Sequence, residues 1–81
     1  MTITATELSR MRWRCRRGML ENDIVLGRFL DAHGAALSRA RAADLDRLLD
    51  LTDNDLWDLI AGRHEPADAS LVPIVKALRE C

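Results

Sequence analysis

The sequence has few of the residues that build disulfide-bonded, metal-bound or aromatic-rich proteins. Its 81 residues include two cysteines, two prolines, four glycines, one phenylalanine and no tyrosine. Cys15 and Cys81 are too few for the disulfide framework of a small secreted domain, so we expect a reducing compartment, most simply the bacterial cytoplasm. No cluster of cysteine and histidine has the spacing of a metal site, and we predict no bound metal.

Long apolar runs are also absent. No stretch approaches the roughly 18 consecutive apolar residues of a transmembrane helix, and the N-terminus lacks the apolar segment of a signal peptide. We therefore expect no direct membrane insertion, a monomer, and a single domain that spans residues 1–81. A domain of this size has little capacity to enclose a deep pocket as well as a core, which favours a module that acts on a partner over an enzyme.

The charges are divided unevenly along the chain. The net charge is −1 and the pI is about 6.1, but eight arginines and four acids in residues 1–43 give +4, whereas four bases and nine acids in residues 44–81 give −5. Nucleic-acid-binding domains usually have a pI above about 9. The arginine-rich half keeps a small helical nucleic-acid-binding regulator open as an alternative, and the acidic half argues against it.

Apolar residues recur with helical periodicity throughout, and no segment shows the alternation of a strand. We predict an all-α fold, a compact five-helix bundle. The predicted helices cover residues 5–17, 20–32, 39–50, 53–61 and 71–80. The expected N-terminal caps are Thr4 with Glu7 as a capping box, then Ser38, then Thr52 or Asp53, and Ser70. The expected C-terminal stops are Gly18 and Gly62, because glycine adopts the left-handed conformation that ends many helices.

The second predicted helix is apolar almost all round, which is typical of a central helix packed on several sides. Gly27 within it costs about 1 kcal/mol relative to alanine, so we expect another helix to approach closely there. Trp57 lies in an apolar cluster and is predicted to be in the core. Trp13 lies among arginines, and the sequence leaves open whether it covers the bundle edge or is an exposed anchor for a partner.

No pattern indicates a catalytic site, and we predict no catalytic residue. His33 and His64 have no acid and nucleophile nearby in sequence, and we expect surface or capping roles for them. The aspartates between residues 44 and 58 do not have the spacing of a calcium loop, and capping and solvated helix faces account for them.

Residues 12–23, RWRCRRGMLEND, have the most unusual composition. As a nucleic-acid arm they would need their charges on one helix face, but the arginines divide between two faces and acids follow at once. As a docking corner, they place Arg17 at the end of one helix, Gly18 in the turn and Glu21 at the start of the next. A third interpretation is an Arg17–Glu21 ion pair that only braces the corner and contributes at most about 1 kcal/mol.

The segments RRGMLENDIVLGRFLDAHGAALS and LDRLLDLTDNDLWDLIAGRHEPAD resemble the succinate dehydrogenase assembly factor family, whose small proteins carry an RGxxE signature. That signature corresponds here to Arg17, Gly18 and Glu21, with Arg16, Met19 and Asp23 in the adjoining stretch. The resemblance implies a five-helix bundle that promotes covalent attachment of FAD to the flavoprotein subunit of succinate dehydrogenase and, in some bacteria, of fumarate reductase. Asn22 stands where the family commonly has an apolar residue, so we expect looser packing there.

The resemblance implies an assembly chaperone and not an enzyme, in which the corner binds the immature flavoprotein. On this hypothesis Arg17 contacts a partner carboxylate or backbone, Gly18 permits close approach, and Glu21 pairs with a partner cation or orients Arg17. Trp13 is assigned to the same partner-binding surface. No cofactor is expected to bind stably, because the FAD belongs to the partner. A protein that carries and delivers FAD is the alternative, and the absence of a dinucleotide-binding fingerprint makes it less favoured.

Overall fold

The computed structural model describes all residues from Met1 to Cys81 and confirms the predicted all-α fold with five α-helices. The helices are α1 (Ala5–Arg14), α2 (Leu20–His33), α3 (Arg39–Leu49), α4 (Asp53–Ile60) and α5 (Val72–Arg79). Short 3₁₀ turns, Gly34–Ala36 and Ala69–Leu71, follow α2 and precede α5. None of these helices has the length and apolar character needed to cross a bilayer.

Three of the helices begin where their local sequence predicts. The Thr4 hydroxyl accepts a hydrogen bond from the Glu7 amide at 3.1 Å, and the Glu7 carboxylate accepts one from the Thr4 amide at 3.0 Å, which confirms the capping box. Ser38 and Thr52 cap α3 and α4 in the same way, at 3.1 and 3.2 Å. Each such cap typically stabilises a helix by about 1 kcal/mol.

The core is a single cluster of 17 buried apolar residues to which every helix contributes. Leu26, Phe29 and Leu30 place one side of α2 in this cluster, against α4 and α5. The prediction that α2 is packed all round is wrong on its other side, where Leu20 and Ile24 are 66% and 43% exposed. Since residues four apart share a helix face, the two side chains form an apolar strip that faces solvent.

Two glycine positions behave differently from the sequence-based expectation. The predicted close approach at Gly27 is wrong, because a methyl group there would meet nothing within 4 Å. The close approach lies instead at Gly34, where an added Cβ would lie 2.8 Å from Leu8 Cδ1 at the α1 contact. Gly62 has a φ of +81° and follows the end of α4, as predicted.

The start of α5 also differs. The prediction that Ser70 caps this helix is wrong: Asp68 accepts a hydrogen bond from the Ser70 amide at 2.9 Å, and α5 begins two residues later. The Asp68 carboxylate also pairs with Arg47 of α3 at 2.6 Å, and this contact lowers the pKa of Asp68 to about 2. The chain therefore forms a 3₁₀ turn before α5, with Pro73 in the tolerated first turn of the helix.

The candidate partner-binding corner

The corner between α1 and α2 comprises residues 13–24, from the end of α1 to the first turn of α2. Helix α1 ends at Arg14, three residues earlier than predicted, so residues 15–19 form an irregular connection. Within it Gly18 has a φ of +94°, a backbone conformation that residues with a Cβ rarely adopt. The Asp23 carboxylate accepts hydrogen bonds from the amides of Arg17 and Gly18 at 2.9 and 3.3 Å. Asp23 thus fastens the connection to the first turn of α2.

The Arg17 guanidinium does not face outward, which corrects the expectation that it is offered to a partner. Its side chain is 16% exposed, and its Nε donates to Asp53 Oδ1 at 2.6 Å. Its Nη1 donates to the carbonyl of Leu49 at 2.5 Å, and its Nη2 donates to the carbonyl of Leu51. The carbonyl groups at the end of α3 and the carboxylate at the start of α4 attract the guanidinium inward, because together they supply acceptors for its whole fork.

Glu21 takes no part in these contacts and is exposed to solvent without an ion-pair partner. The Arg17–Glu21 pair considered from the sequence is therefore not formed. Leu20 beside it is exposed, and no atom lies within 4 Å of where a Cβ on Gly18 would stand. Gly18, Leu20 and Glu21 consequently offer an apolar, side-chain-poor and anionic surface to the outside.

Asn22 is fully buried, and no sequence pattern marks its role in the corner. Its Nδ2 donates to the Asp53 carbonyl at 3.0 Å and lies 3.5 Å from the sulfur of Met19, whereas its Oδ1 has no hydrogen-bond partner. Through this contact the Asn22 amide reaches the start of α4, and the looser packing expected at Asn22 stays a prediction. Met19 is half-buried and precedes α2 without a side-chain cap, so it contributes packing to the corner.

Trp13 is 73% exposed, which decides between the two sequence-based interpretations in favour of an exposed side chain. The Arg16 guanidinium lies over its indole ring, 5.4 Å from the ring centroid. Such a cation–π contact at the surface contributes about 0.5–1 kcal/mol. Arg16 has no carboxylate partner, so its charge remains available to another molecule.

A groove of about 540 Å³ runs between α1 and α2 beside the corner, open to solvent. Its lining residues are Arg12, Cys15, Arg16, Gly18, Asp23, Gly27 and Leu30. Burial raises the pKa of the Cys15 thiol to about 11, so this thiol stays protonated at neutral pH and is not a nucleophile. Cys15 therefore acts as a small core residue.

The arginines of the 12–17 stretch are largely neutralised within the bundle. Arg12 pairs with Asp31 at 3.0 Å, Arg14 pairs with Asp46 and Asp50, and Arg17 is held as described, which leaves Arg16 alone unpaired. A nucleic-acid arm needs several cations free to contact phosphates. The pairing of three of these four arginines argues against that interpretation.

The bundle and its corner define the class of the protein. It is a small helical module whose exposed charged and apolar side chains suit contact with another polypeptide. An unpaired cation, an unpaired carboxylate and large apolar side chains are exposed between residues 13 and 24. No group of three or more acidic, histidine or cysteine side chains could hold a metal. Tryptophan and arginine are the residue types that dominate protein-binding surfaces.

Comparison with known proteins identifies the family within that class. A family described as the flavinator of succinate dehydrogenase matches residues 9–81. The FAD assembly factor SdhE of Ralstonia nicotianae is 47% identical over 68 residues, which cover 84% of this chain and 72% of that protein. The namesake proteins of Legionella pneumophila and Coxiella burnetii are 39% and 34% identical, over 93% and 88% of this chain and 94% and 87% of theirs. No solved structure matches.

The chain therefore belongs to the family of succinate dehydrogenase flavinators, as its resemblance predicted. Its relatives are named assembly factors, which places it among assembly proteins and not among enzymes.

Proposed function

We propose that this chain binds the flavoprotein subunit of succinate dehydrogenase and promotes the covalent attachment of FAD to it, as an assembly chaperone. Membership of the flavinator family supports the proposal. The observation that carries it to this structure is the exposure of Trp13 and Leu20, beside unpaired Arg16 and Glu21, at the corner that holds the RGxxE motif.

The chemical step needs no reacting group from this chain. The new bond joins a histidine of the flavoprotein to its own flavin, so the tasks left to an assembly factor are to bind the client and to hold it in a competent arrangement. The structure suits this division, because its Cys15 thiol is buried and protonated. FAD is accordingly the client's cofactor, and we propose that no cofactor binds stably to this chain.

The exposed residues of the corner have distinct roles in this proposal. Gly18 leaves the backbone accessible, Leu20 and Trp13 supply apolar contact area, and Glu21 and Arg16 pair with a cation and an anion of the client. Because Trp13 is large and solvent-exposed in the free protein, its burial by a partner would be a strong source of binding energy. Replacement of such an anchor typically costs at least about 2 kcal/mol, which is a roughly 30-fold loss of affinity.

Covalent flavin on the client tests the proposal. In a strain that lacks this protein, in-gel fluorescence of the succinate dehydrogenase flavoprotein should be restored by the wild-type chain and reduced at least tenfold with Trp13→Ala or Glu21→Ala. Matched controls are Val72→Ala and Glu80→Ala, which remove an exposed apolar side chain at the start of α5 and an unpaired carboxylate just after its end. Equal fluorescence for corner and control variants would contradict the assignment of the corner.

The same assay distinguishes clients and mechanisms. We propose fumarate reductase as a second client in organisms that have it, and covalent flavin on its flavoprotein subunit should then fall in the same variants. Calorimetric titration of the purified chain with free FAD should give no stoichiometric binding. Tight binding of one FAD would contradict the proposal and favour the delivery of FAD instead.

A further inference from the structure

The acceptors of the Arg17 side chain all lie in one short segment of the chain. The Leu49 and Leu51 carbonyls and the Asp53 carboxylate lie within residues 49–53, which are 32 to 36 residues away in sequence. This segment, called the α3–α4 connection below, includes the last residue of α3 and the first residue of α4. Every nitrogen of the guanidinium donates to this connection. A planar arginine fork makes such a three-way contact with little loss of freedom per hydrogen bond.

A second side chain from the corner binds the same connection. The buried amide of Asn22 donates to the Asp53 carbonyl at 3.0 Å, so the start of α2 is attached to the start of α4. The backbone amides of Arg17 and Gly18 are held separately, by the Asp23 carboxylate. Two sets of contacts therefore hold the corner. The Asp23 carboxylate binds its backbone, and the Arg17 and Asn22 side chains bind the α3–α4 connection, more than 30 residues away in sequence.

The corner needs such ties because it lacks the hydrogen bonds of a helix. Helix α1 ends at Arg14 and α2 begins at Leu20, and the left-handed Gly18 lies between them with open space around it. A glycine in a connection of this kind confers backbone freedom that other contacts must restrict. The direction in which Leu20 and Glu21 face the solvent therefore depends on where the Arg17 side chain is held.

We propose that Arg17 is a positioning residue, which acts through Gly18, Leu20 and Glu21 and does not itself contact the client. This inference rests on the proposed function of the corner. It divides the RGxxE motif into an inner arginine that sets the geometry and an outer glycine and glutamate that meet the partner. It also makes the α3–α4 connection part of the functional unit, although that segment lies far from the motif in sequence.

Arg17→Lys separates positioning from simple charge. A lysine keeps the cation near Asp53, but a single ammonium group cannot reproduce the planar fork that also reaches the two carbonyls. Hydrogen exchange of the isolated variant should be at least tenfold faster at the Arg17 and Gly18 amides and in residues 49–53. Protection of residues 74–78 in the core of α5 should fall less than twofold. Covalent flavin formed on the client at limiting chaperone concentration should fall at least tenfold.

Asp53→Asn is the second variant, and it keeps the shape and an acceptor oxygen while it removes the charge. It should speed exchange at the corner in the same direction by a smaller factor, and it serves if Arg17→Lys does not fold. The matched control is Ile74→Val, a small loss in the buried core of α5. At a temperature well below its midpoint of unfolding, this control should leave both the corner exchange and the covalent flavin unchanged.

Three results would overturn the inference. Covalent flavin lost from Arg17→Lys with unchanged exchange at the corner would mean that the guanidinium contacts the client. Faster exchange with full flavin attachment would mean that the corner geometry does not matter. If Ile74→Val is matched to Arg17→Lys in thermal stability and loses as much covalent flavin, the loss of stability alone is responsible. A wild-type chain that fails to promote flavin attachment would contradict the proposed function instead, while the exchange data still report on the tie.

Discussion

Substitution of Gly18 by alanine and by arginine separates the strain of the corner from its use as a binding surface. With a φ of +94°, any residue that has a Cβ must adopt the left-handed region here, at a cost of about 1–2 kcal/mol. No atom lies within 4 Å of the added Cβ, so a clash contributes nothing further. The two variants should therefore be destabilised by the same amount, although their side chains differ greatly in size.

For a domain of this length, each kcal/mol lowers the midpoint of thermal unfolding by about 4–8 °C, so both midpoints should fall by about 4–16 °C. Circular dichroism at 222 nm measures this directly. At a temperature well below both midpoints, Gly18→Ala should retain most of the covalent flavin on the client. Gly18→Arg should retain less than a tenth, because a long side chain stands where the partner approaches.

Two results would refute this reasoning. A midpoint for Gly18→Arg far below that of Gly18→Ala would show that the space around Gly18 is not open. Equal flavin attachment by both variants would show that no partner approaches the backbone at this position.

Two further predictions concern stability alone. Gly27→Ala should raise the midpoint of unfolding by about 4–8 °C, because alanine is about 1 kcal/mol more favourable in a helix and its methyl group meets nothing; a lower midpoint would contradict the open geometry. The pKa values of Glu7 and Asp68 are lowered to about 2, mainly by Arg39 and Arg47, from ordinary values of 4.5 and 3.8. The stability that these two carboxylates contribute to the folded state is complete above their ordinary pKa values and is lost as the pH falls toward 2. The urea midpoint of Glu7→Gln should therefore fall less steeply between pH 5 and pH 2 than that of the wild type. An unchanged slope would contradict the pairing.

The sequence predicts most of the fold because the signals that start and stop these helices are local. Thr4 and Glu7 are three residues apart, and Ser38 and Thr52 cap the turn that follows each of them. Such contacts form within one helical turn, so they can be recognised without knowledge of the tertiary structure. The prediction for Ser70 failed because the Ser70 amide is itself bound by Asp68, and Arg47 from another helix holds Asp68 in place.

The inward orientation of Arg17 could not be predicted from the sequence. Its acceptors are two backbone carbonyls and one carboxylate more than 30 residues away, and no sequence pattern marks a carbonyl as a binding group. The same limit applies to Asn22, whose amide finds the Asp53 carbonyl only after α2 and α4 have packed. The periodicity of α2 likewise predicts apolar residues on all its sides. It does not predict which side stays exposed, and in the structure that side carries Leu20 and Ile24.

Hydrogen exchange of the chain with and without the purified, FAD-loaded flavoprotein subunit of succinate dehydrogenase tests the central claim most directly. Binding should slow exchange in residues 13–24 at least tenfold, and it should leave residues 62–68 and α5 unchanged. Protection confined to the 62–68 loop or to α5, with none between Trp13 and Ile24, would contradict the account.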